Sequence, residues 1–102
     1  MQLINERLFN TTAASSLPSA DYQVFTPNDI LAYDIHATNT DASPATLTIS
    51  DGAGMIFAAA TPIAAGGDYE RTFANGIFFK SGLKAKSGTN NVVHLWVRFR
   101  NA

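Results

Sequence analysis

Apolar and polar residues alternate along most of this chain, most cleanly near its C-terminus. One side of the stretch from residue 92 to residue 100 carries Val93, Leu95, Val97 and Phe99, and the other side carries Val92, His94, Trp96, Arg98 and Arg100. Successive side chains of a β-strand point to opposite faces, so this pattern predicts a strand with one buried face and one open face.

Shorter runs with the same period predict further strands. They cover residues 2–10, 22–25, 30–38, 45–50, 55–60 and 68–74, followed by runs around 77–79 and 83–85 that precede the final strand. In the strand over 30–38, we expect Leu31, Tyr33, Ile35 and Ala37 to point inward. Asn75-Gly76, Ser81-Gly82 and residues 87–91 are turn signals, since these residue types tolerate the positive φ that tight hairpins require.

The spacing of these runs predicts the fold class. About eight or nine short strands, with turn signals about every 8–12 residues and no long helical pattern, favour an all-β antiparallel sandwich. Jelly-roll and immunoglobulin-like topologies both fit that spacing. The chain of 102 residues is the length of a single domain, 1–102. Residues 61–67, rich in Ala and Gly, are expected to cross from one sheet to the other.

Residues 11–20 differ in composition from the rest of the chain. They are small, polar and interrupted by Pro18, which is typical of an extended arm or linker. Because Ala, Ser and Thr bury little apolar area, they offset little of the ordering entropy of about 1–2 kcal/mol per residue. We therefore expect this segment to be mobile in the free protein and ordered in an assembly.

Composition and charge point to a partner. Charged residues make up only 15% of the chain, against about 25% in average domains, so either another subunit covers part of the surface or Thr, Ser and Asn solvate it. The first 70 residues hold all eight acids and one base, a net charge of −7, and the last 32 hold the other six bases, +6. Either acidic and basic strands pair across the sheet, or a basic face meets an acidic face of a neighbouring molecule.

Few functional classes other than binding fit the residues present. Cysteine is absent, which excludes disulfides, thiolate metal sites and a Cys nucleophile. His36, His94 and Asp34 have the chemistry of zinc ligands but no supporting ligand pattern, and no catalytic motif occurs, so we expect no cofactor, no metal and no enzymatic activity. The N-terminus lacks a signal-peptide pattern and no apolar run reaches about 20 residues, so synthesis in the cytoplasm and no membrane contact are expected.

A basic, aromatic set of outward-facing residues is the candidate partner interface. It consists of Phe78, Lys80, Lys84, Lys86, His94, Trp96, Arg98 and Arg100. An exposed Trp beside Arg is typical of a protein–protein hot spot, and it also suits the stacking of a sugar ring. The chain as a whole is not basic, which disfavours nucleic acid. The alternative is that the protein's own N-terminal arm covers this face.

The order of turns in the last two-fifths of the chain resembles that of a known class of proteins. A Pro- and Gly-rich connection (62–67) precedes a strand ending in Asn75-Gly76, then Phe79-Lys80-Ser81-Gly82-Leu83, then Ser87-Gly88-Thr89 before an apolar strand. This order is similar to that of small all-β structural proteins of tailed bacteriophage particles. The resemblance implies a capsid decoration (cement) protein in the virion, cofactor-free, acting as a dimer or trimer that bridges subunits of the major capsid protein. Its alternative is a carbohydrate- or host-receptor-binding module of a phage tail.

Overall fold

The computed structural model describes residues 9–12 and 15–102, and most of the strand predicted over 2–10 lies outside these ranges. The described residues form β-strands and turns. The strands are β1 (Phe9–Thr11), β2 (Ser15–Ser16), β3 (Gln23–Thr26), β4 (Ile30–Asn39), β5 (Ala45–Asp51), β6 (Ile56–Ile63), β7 (Asp68–Phe79), β8 (Leu83–Ser87) and β9 (Val93–Asn101).

The strands form two antiparallel sheets that pack as a sandwich. Sheet A has the order β1/β2–β9–β4–β7, with β1 and β2 both pairing with one edge of β9, and sheet B has the order β3–β8–β5–β6. From β2 onward, every connection crosses between the sheets except the β5–β6 hairpin. An immunoglobulin-like domain contains several hairpins within a sheet, whereas this crossing pattern is that of a jelly roll. The predicted antiparallel sandwich is confirmed, and the topology decides between the two alternatives.

The core lies between the inner faces of the sheets, and alternation predicted much of it. In β9, Val93, Leu95 and Val97 are at most 1% exposed, as expected, while Trp96 lies half-buried on the outer face. Leu47 and Ile49 of β5 are likewise fully buried. Each fully buried aliphatic side chain of this size contributes about 1.5–3 kcal/mol of transfer free energy.

A bulge in β4 makes the predicted facing of three residues wrong, because simple alternation places Leu31 and Tyr33 inward and Ala32 outward. Between Ala32 and Asp34, β4 advances two residues while β9 advances one, from Phe99 to Arg98. An extra residue in one strand reverses the alternation on its far side. As a result Ile30 and Ala32 are buried in the core, whereas Leu31 pairs with outward-facing residues and Tyr33 packs on the outer face of sheet A.

The same irregularity makes the predicted turn at Asn75-Gly76 wrong. This pair lies inside the continuous strand β7. From the partner of Ala32 to the partner of Asp34, β7 advances five residues, between Ile77 and Thr72, while β4 advances two. Gly76 has φ 79°, and a Cβ there would lie 3.0 Å from the ring of Tyr33. The positive φ predicted for a hairpin therefore serves a bulge covered by an aromatic ring.

Residues 15–19 run along the edge of β9 toward one end of the sandwich. The backbone N–H of Leu17 donates to the carbonyl oxygen of Val93 at 2.8 Å, and the carbonyl oxygen of Leu17 accepts from Asn91 at 3.0 Å. The Leu17 side chain is fully buried among core residues. Whether the predicted arm over 11–20 is mobile in the free protein stays a prediction.

The two ends of the sandwich are built differently. We call residues 27–29, 52–55 and 80–82, with the strand residues beside them, the turn end, and residues 40–44, 64–67 and 88–92 the loop end. At the turn end the N–H of Gly52 lies 3.0 Å from the carbonyl oxygens of both Lys80 and Gly82, and the N–H of Ser81 donates to Asp29 Oδ1 at 2.7 Å. Ser81-Gly82 is a turn as predicted, with positive φ at both residues, but it joins the two sheets rather than closing a hairpin.

Candidate interaction surfaces

The outer face of sheet A is a grid of polar side chains set by strand register. Its rows, read across β9, β4 and β7, are His94–Thr38–Asp68, Trp96–His36–Glu70, Arg98–Asp34–Thr72 and Arg100–Leu31–Phe78. Side chains directly opposite one another in an antiparallel pair have Cβ atoms about 4.5–5.5 Å apart, so each row is a line of contacts. In the third row an acid from the first part of the chain, Asp34, lies beside a base from the last part, Arg98.

Arg98 and Arg100 are held on this face by two kinds of contact. Arg98 Nε donates to Asp34 Oδ2 at 2.6 Å, a charge-assisted bond between partly buried groups. Both guanidinium groups lie 5.7 Å from the centre of the Tyr33 ring. The Asp34–Arg98 pair fits the first of the two charge interpretations, in which acidic and basic strands pair within the sheet.

The two histidines occupy different rows and have different partners. His36 Nε2 lies 3.8 Å from Asp68 Oδ1 and 3.9 Å from Glu70 Oε2. His94 lies between two hydroxyl groups, with Nδ1 2.9 Å from Ser16 Oγ and Nε2 3.3 Å from Thr40 Oγ1. His94 thereby links β2 to the loop that follows β4.

The structure does not bring together His36, His94 and Asp34, the three residues considered as zinc ligands. Asp34 bonds to Arg98, His94 bonds to hydroxyl groups, and His36 faces carboxylates in another row. Among residues 9–12 and 15–102, no group of three or more His, Asp or Glu side chains is arranged to hold a metal ion.

The outer face of sheet B is basic and built from small side chains. Lys84 and Lys86 extend over the ring of Tyr22, with the Nζ atoms 4.7 Å and 4.9 Å from its centre. Their register neighbours in β5 are Ser50 and Thr48. Only one acid belongs to the strands of this sheet, Asp51, and it is buried at the turn end.

Large exposed apolar side chains gather at the turn end. Over the described residues they are Val24, Met55, Ile56 and Phe78, which are 60%, 74%, 48% and 54% exposed. Met55, Ile56 and Phe78 line a cleft of about 180 Å³ together with Phe57, Ile77 and Phe79. Val24 lines a second cleft of about 230 Å³ beside Pro27, Gly52 and Ser81. The apolar surface therefore flanks the interlocked turns.

The eight residues of the sequence-based candidate interface lie on three surfaces. His94, Trp96, Arg98 and Arg100 share the outer face of sheet A, Lys84 and Lys86 lie on the outer face of sheet B, and Phe78 and Lys80 lie at the turn end. The outer faces of a sandwich point away from each other, so no single flat partner contacts all eight. Their role in binding stays a prediction.

Two groups of surface residues escaped the sequence analysis. Met55 and Ile56 were counted only as members of a strand, although a Met beside a Gly-containing hairpin is a signal for an exposed apolar tip. Asp68 and Glu70 are two residues apart on the outer face of β7. The sequence shows this spacing but not which residues lie opposite them.

The described residues include no helix of the length and hydropathy that a membrane span requires. No protein-family model and no curated protein matches this sequence. Among solved structures, the chain is similar to the tobacco streak virus coat protein, with a TM-score of 0.48 and 12% sequence identity over 91% of this chain and 85% of that chain. A similarity of this size supports no inference about function.

Proposed function

We propose that this protein is a non-enzymatic structural component of a virion, a capsid decoration (cement) protein that binds and bridges capsid subunits through its turn end. The observation that carries the proposal is the gathering of Val24, Met55, Ile56 and Phe78 at that one end. Contiguous exposed apolar surface on a small protein is typical of an interaction site, since its burial contributes about 25 cal/mol per Å².

The clefts at the turn end suit protein side chains better than a small molecule. Their volumes of about 180 and 230 Å³ fall below the roughly 300–1,000 Å³ of ordinary ligand pockets. Phe78 and Met55 stand at the rim of the first cleft, and Lys80 follows in the adjoining turn. An apolar side chain from a capsid subunit would enter the cleft, with an acidic neighbour facing Lys80.

Fold, composition and resemblance support the same proposal. Jelly rolls occur in viral capsid proteins, in lectins and in cupins, so the topology is compatible with a particle component without selecting one. The low charge content and the resemblance to phage structural proteins, apart from the turn at Asn75-Gly76, favour the capsid. Under this proposal the protein is made in the host cytoplasm, needs no cofactor, assembles as a homo-oligomer and binds the major capsid protein.

Co-assembly with capsid shells tests the proposal. The protein is expressed with the major capsid protein of its own virus, and the shells are separated on a density gradient. We expect the wild-type protein to migrate with the shells. The double variant Met55→Ser/Phe78→Ser should remain at the top of the gradient. Ala65→Ser is the control, because Ala65 is also exposed but lies at the loop end. Retention of the double variant on the shells contradicts the proposal.

A carbohydrate-binding module of a phage tail is the second candidate function. One row of sheet A supports it, in which Trp96 stands beside His36 and Glu70. An aromatic face flanked by hydrogen-bonding groups suits a sugar ring. A glycan array tests it, with Trp96→Phe expected to retain binding and Trp96→Ala to lose it, and the change in Trp96 fluorescence on titration measures the affinity of the wild-type protein. Absence of any glycan signal for the wild-type protein contradicts this candidate.

A further inference from the structure

Two exposed carboxylates on β7 have no Lys or Arg partner within the described residues, although Asp68 Oδ1 accepts a hydrogen bond from Thr38 Oγ1 at 3.0 Å. The side chains of Asp68 and Glu70 are 59% and 73% exposed on the outer face of sheet A. Their nearest cation-forming neighbour is His36, at 3.8 and 3.9 Å, and no Lys or Arg of the described part lies within 4.0 Å of either. Negative charge therefore concentrates at this margin of sheet A.

Two amines on β8 form the opposite arrangement. Lys84 and Lys86 stand on the outer face of sheet B, steadied by the Tyr22 ring, and no described carboxylate lies within 4.0 Å of them. Asp51, the acid that belongs to this sheet, accepts hydrogen bonds from Ala53 and Met55 in its own hairpin. The outer face of sheet B therefore presents two amines that form no ion pair within the described residues, Asp21 beside Tyr22 being the acid next to them along the chain.

The two charged pairs have the same spacing. Asp68 and Glu70 are separated by one residue of β7, and Lys84 and Lys86 by one residue of β8. A strand rises about 3.3 Å per residue, so each pair spans about 7 Å along its strand. Two copies with aligned strands would match both charges of one pair to both charges of the other.

We propose that the protein associates with a second copy of itself head to tail, with Asp68 and Glu70 of sheet A facing Lys84 and Lys86 of the neighbour's sheet B. The two surfaces lie on opposite sides of one molecule, so the contact is heterologous and repeats as a closed ring or an open stack. Surface charges of opposite sign raise the association rate and fix the orientation of the two copies.

The side-chain sizes on the two faces suit the same stacking. Trp96 lies two strands from β7, across β4, and β6 lies two strands from β8, across β5. In the aligned orientation that places β7 over the neighbour's β8 and β4 over its β5, β9 lies over β6, and Trp96 faces the exposed, small Ala59 and Ala60. A large aromatic ring over small side chains permits the two faces to approach closely.

Single charge reversals test the contact with a matched control. Sedimentation and light scattering of the wild-type protein should show species larger than the 10.9 kDa monomer that dissociate on dilution and at high salt, because screening weakens exposed charge pairs. Lys86→Glu should weaken association about 10-fold or more, whereas Lys80→Glu, with the same change in net charge at the turn end, should leave it unchanged. A monomeric wild-type protein at all concentrations overturns the proposal, as does an equal effect of the two variants.

A charge swap provides the stronger test. The variant Lys84→Glu/Lys86→Glu has two acidic faces and the variant Asp68→Lys/Glu70→Lys has two basic faces, so each alone should stay monomeric. An equimolar mixture should assemble, because each interface then joins one acidic to one basic face. Circular dichroism checks that both variants are folded. Failure of the mixture to assemble, with both variants folded, overturns the proposal.

The fluorescence of Trp96, the single tryptophan, reports which face is covered. Its emission should shift to the blue as the wild-type protein associates, and the shift should be absent in Lys84→Glu/Lys86→Glu, which leaves Trp96 itself untouched. Association without a shift overturns the proposal. Met55 is not part of this contact, and Phe78, although it lies on the outer face of sheet A, is eight residues along β7 from Glu70, so loss of capsid binding by Met55→Ser with Phe78→Ser is a separate result.

Discussion

The loop end and the turn end both close the sandwich, and they do so with different residues. At each end, one buried polar residue at the close of a strand ties the connection together: Asn39 at the loop end and Asp51 at the turn end. At the loop end, Leu17, which comes from a segment outside the long strands, fills the space between the sheets, and the surrounding loops carry small and polar residues. The turn end is closed by the strand residues Ile30, Phe79 and Leu83, while Met55, Ile56 and Phe78 beside them remain exposed.

The difference indicates that the chain covers its own core at the loop end and leaves an exposed apolar surface for another molecule at the turn end. Segment 15–19 seals the loop end with backbone hydrogen bonds to β9 and to the loop after β8. At the turn end, rigid interlocked turns hold Met55 and Phe78 in solvent. Rigidity reduces the conformational entropy lost on binding, which favours association there.

Leu17→Ala should give the largest effect. It should lower the free energy of unfolding by about 2–5 kcal/mol, because it opens a cavity in the core at the loop end. Denaturant melts of the monomer measure this loss. The result also tests the predicted arm: a segment ordered only in an assembly would leave the monomer's free energy of unfolding unchanged. Ser19→Ala, at an exposed position two residues on, is the control.

Asn39→Ala should lower the free energy of unfolding by about 2–3 kcal/mol, since buried polar groups lose their partners. The Nδ2 of Asn39 lies within 3.0–3.2 Å of the carbonyl oxygens of Ser43, Ile63 and Ala64, and Oδ1 accepts from the N–H of Asp41. Asn90→Ala is the control, because Asn90 is exposed and its one side-chain bond is 3.3 Å long. Equal losses in the two variants would show that Asn39 does not organise the loop end.

Asp51→Ala should cost about 1–2 kcal/mol, less than Asn39→Ala, because only the β5–β6 hairpin depends on it. Its Oδ1 accepts from the N–H groups of Ala53 and Met55 at 2.9 and 2.8 Å. Asp51→Asn retains an acceptor oxygen and should lose less than the alanine variant. If both variants lose the same free energy, the negative charge rather than the hydrogen bonds holds the hairpin.

Met55→Ser with Phe78→Ser should give the smallest effect on the fold, within about 0.5 kcal/mol, because exposed side chains add little to stability. The same melts measure it, and solubility at high concentration should rise as the apolar surface shrinks. A loss of several kcal/mol would mean that these side chains are part of the core. The contrast between the two ends would then disappear.

The alternation of apolar and polar residues was sufficient to predict part of this structure. The alternation in β9 assigned Val93, Leu95 and Val97 to the core and Trp96 to the outside, because strand periodicity is set within a few residues of the backbone. The same periodicity failed in β4. The extra residue at Tyr33 becomes visible only when β4 is paired with β9 and β7.

What the sequence by itself determined is the class of fold, the strands and most of the facing of their side chains. Which sheet each strand joins was decided by the tertiary structure, because crossovers depend on contacts between residues far apart in the chain. That choice separated Lys84 and Lys86 from His94 and Trp96, which alternation alone had grouped together. It also closed the loop end with Leu17, a residue whose polar, Pro-containing surroundings gave no sign of burial.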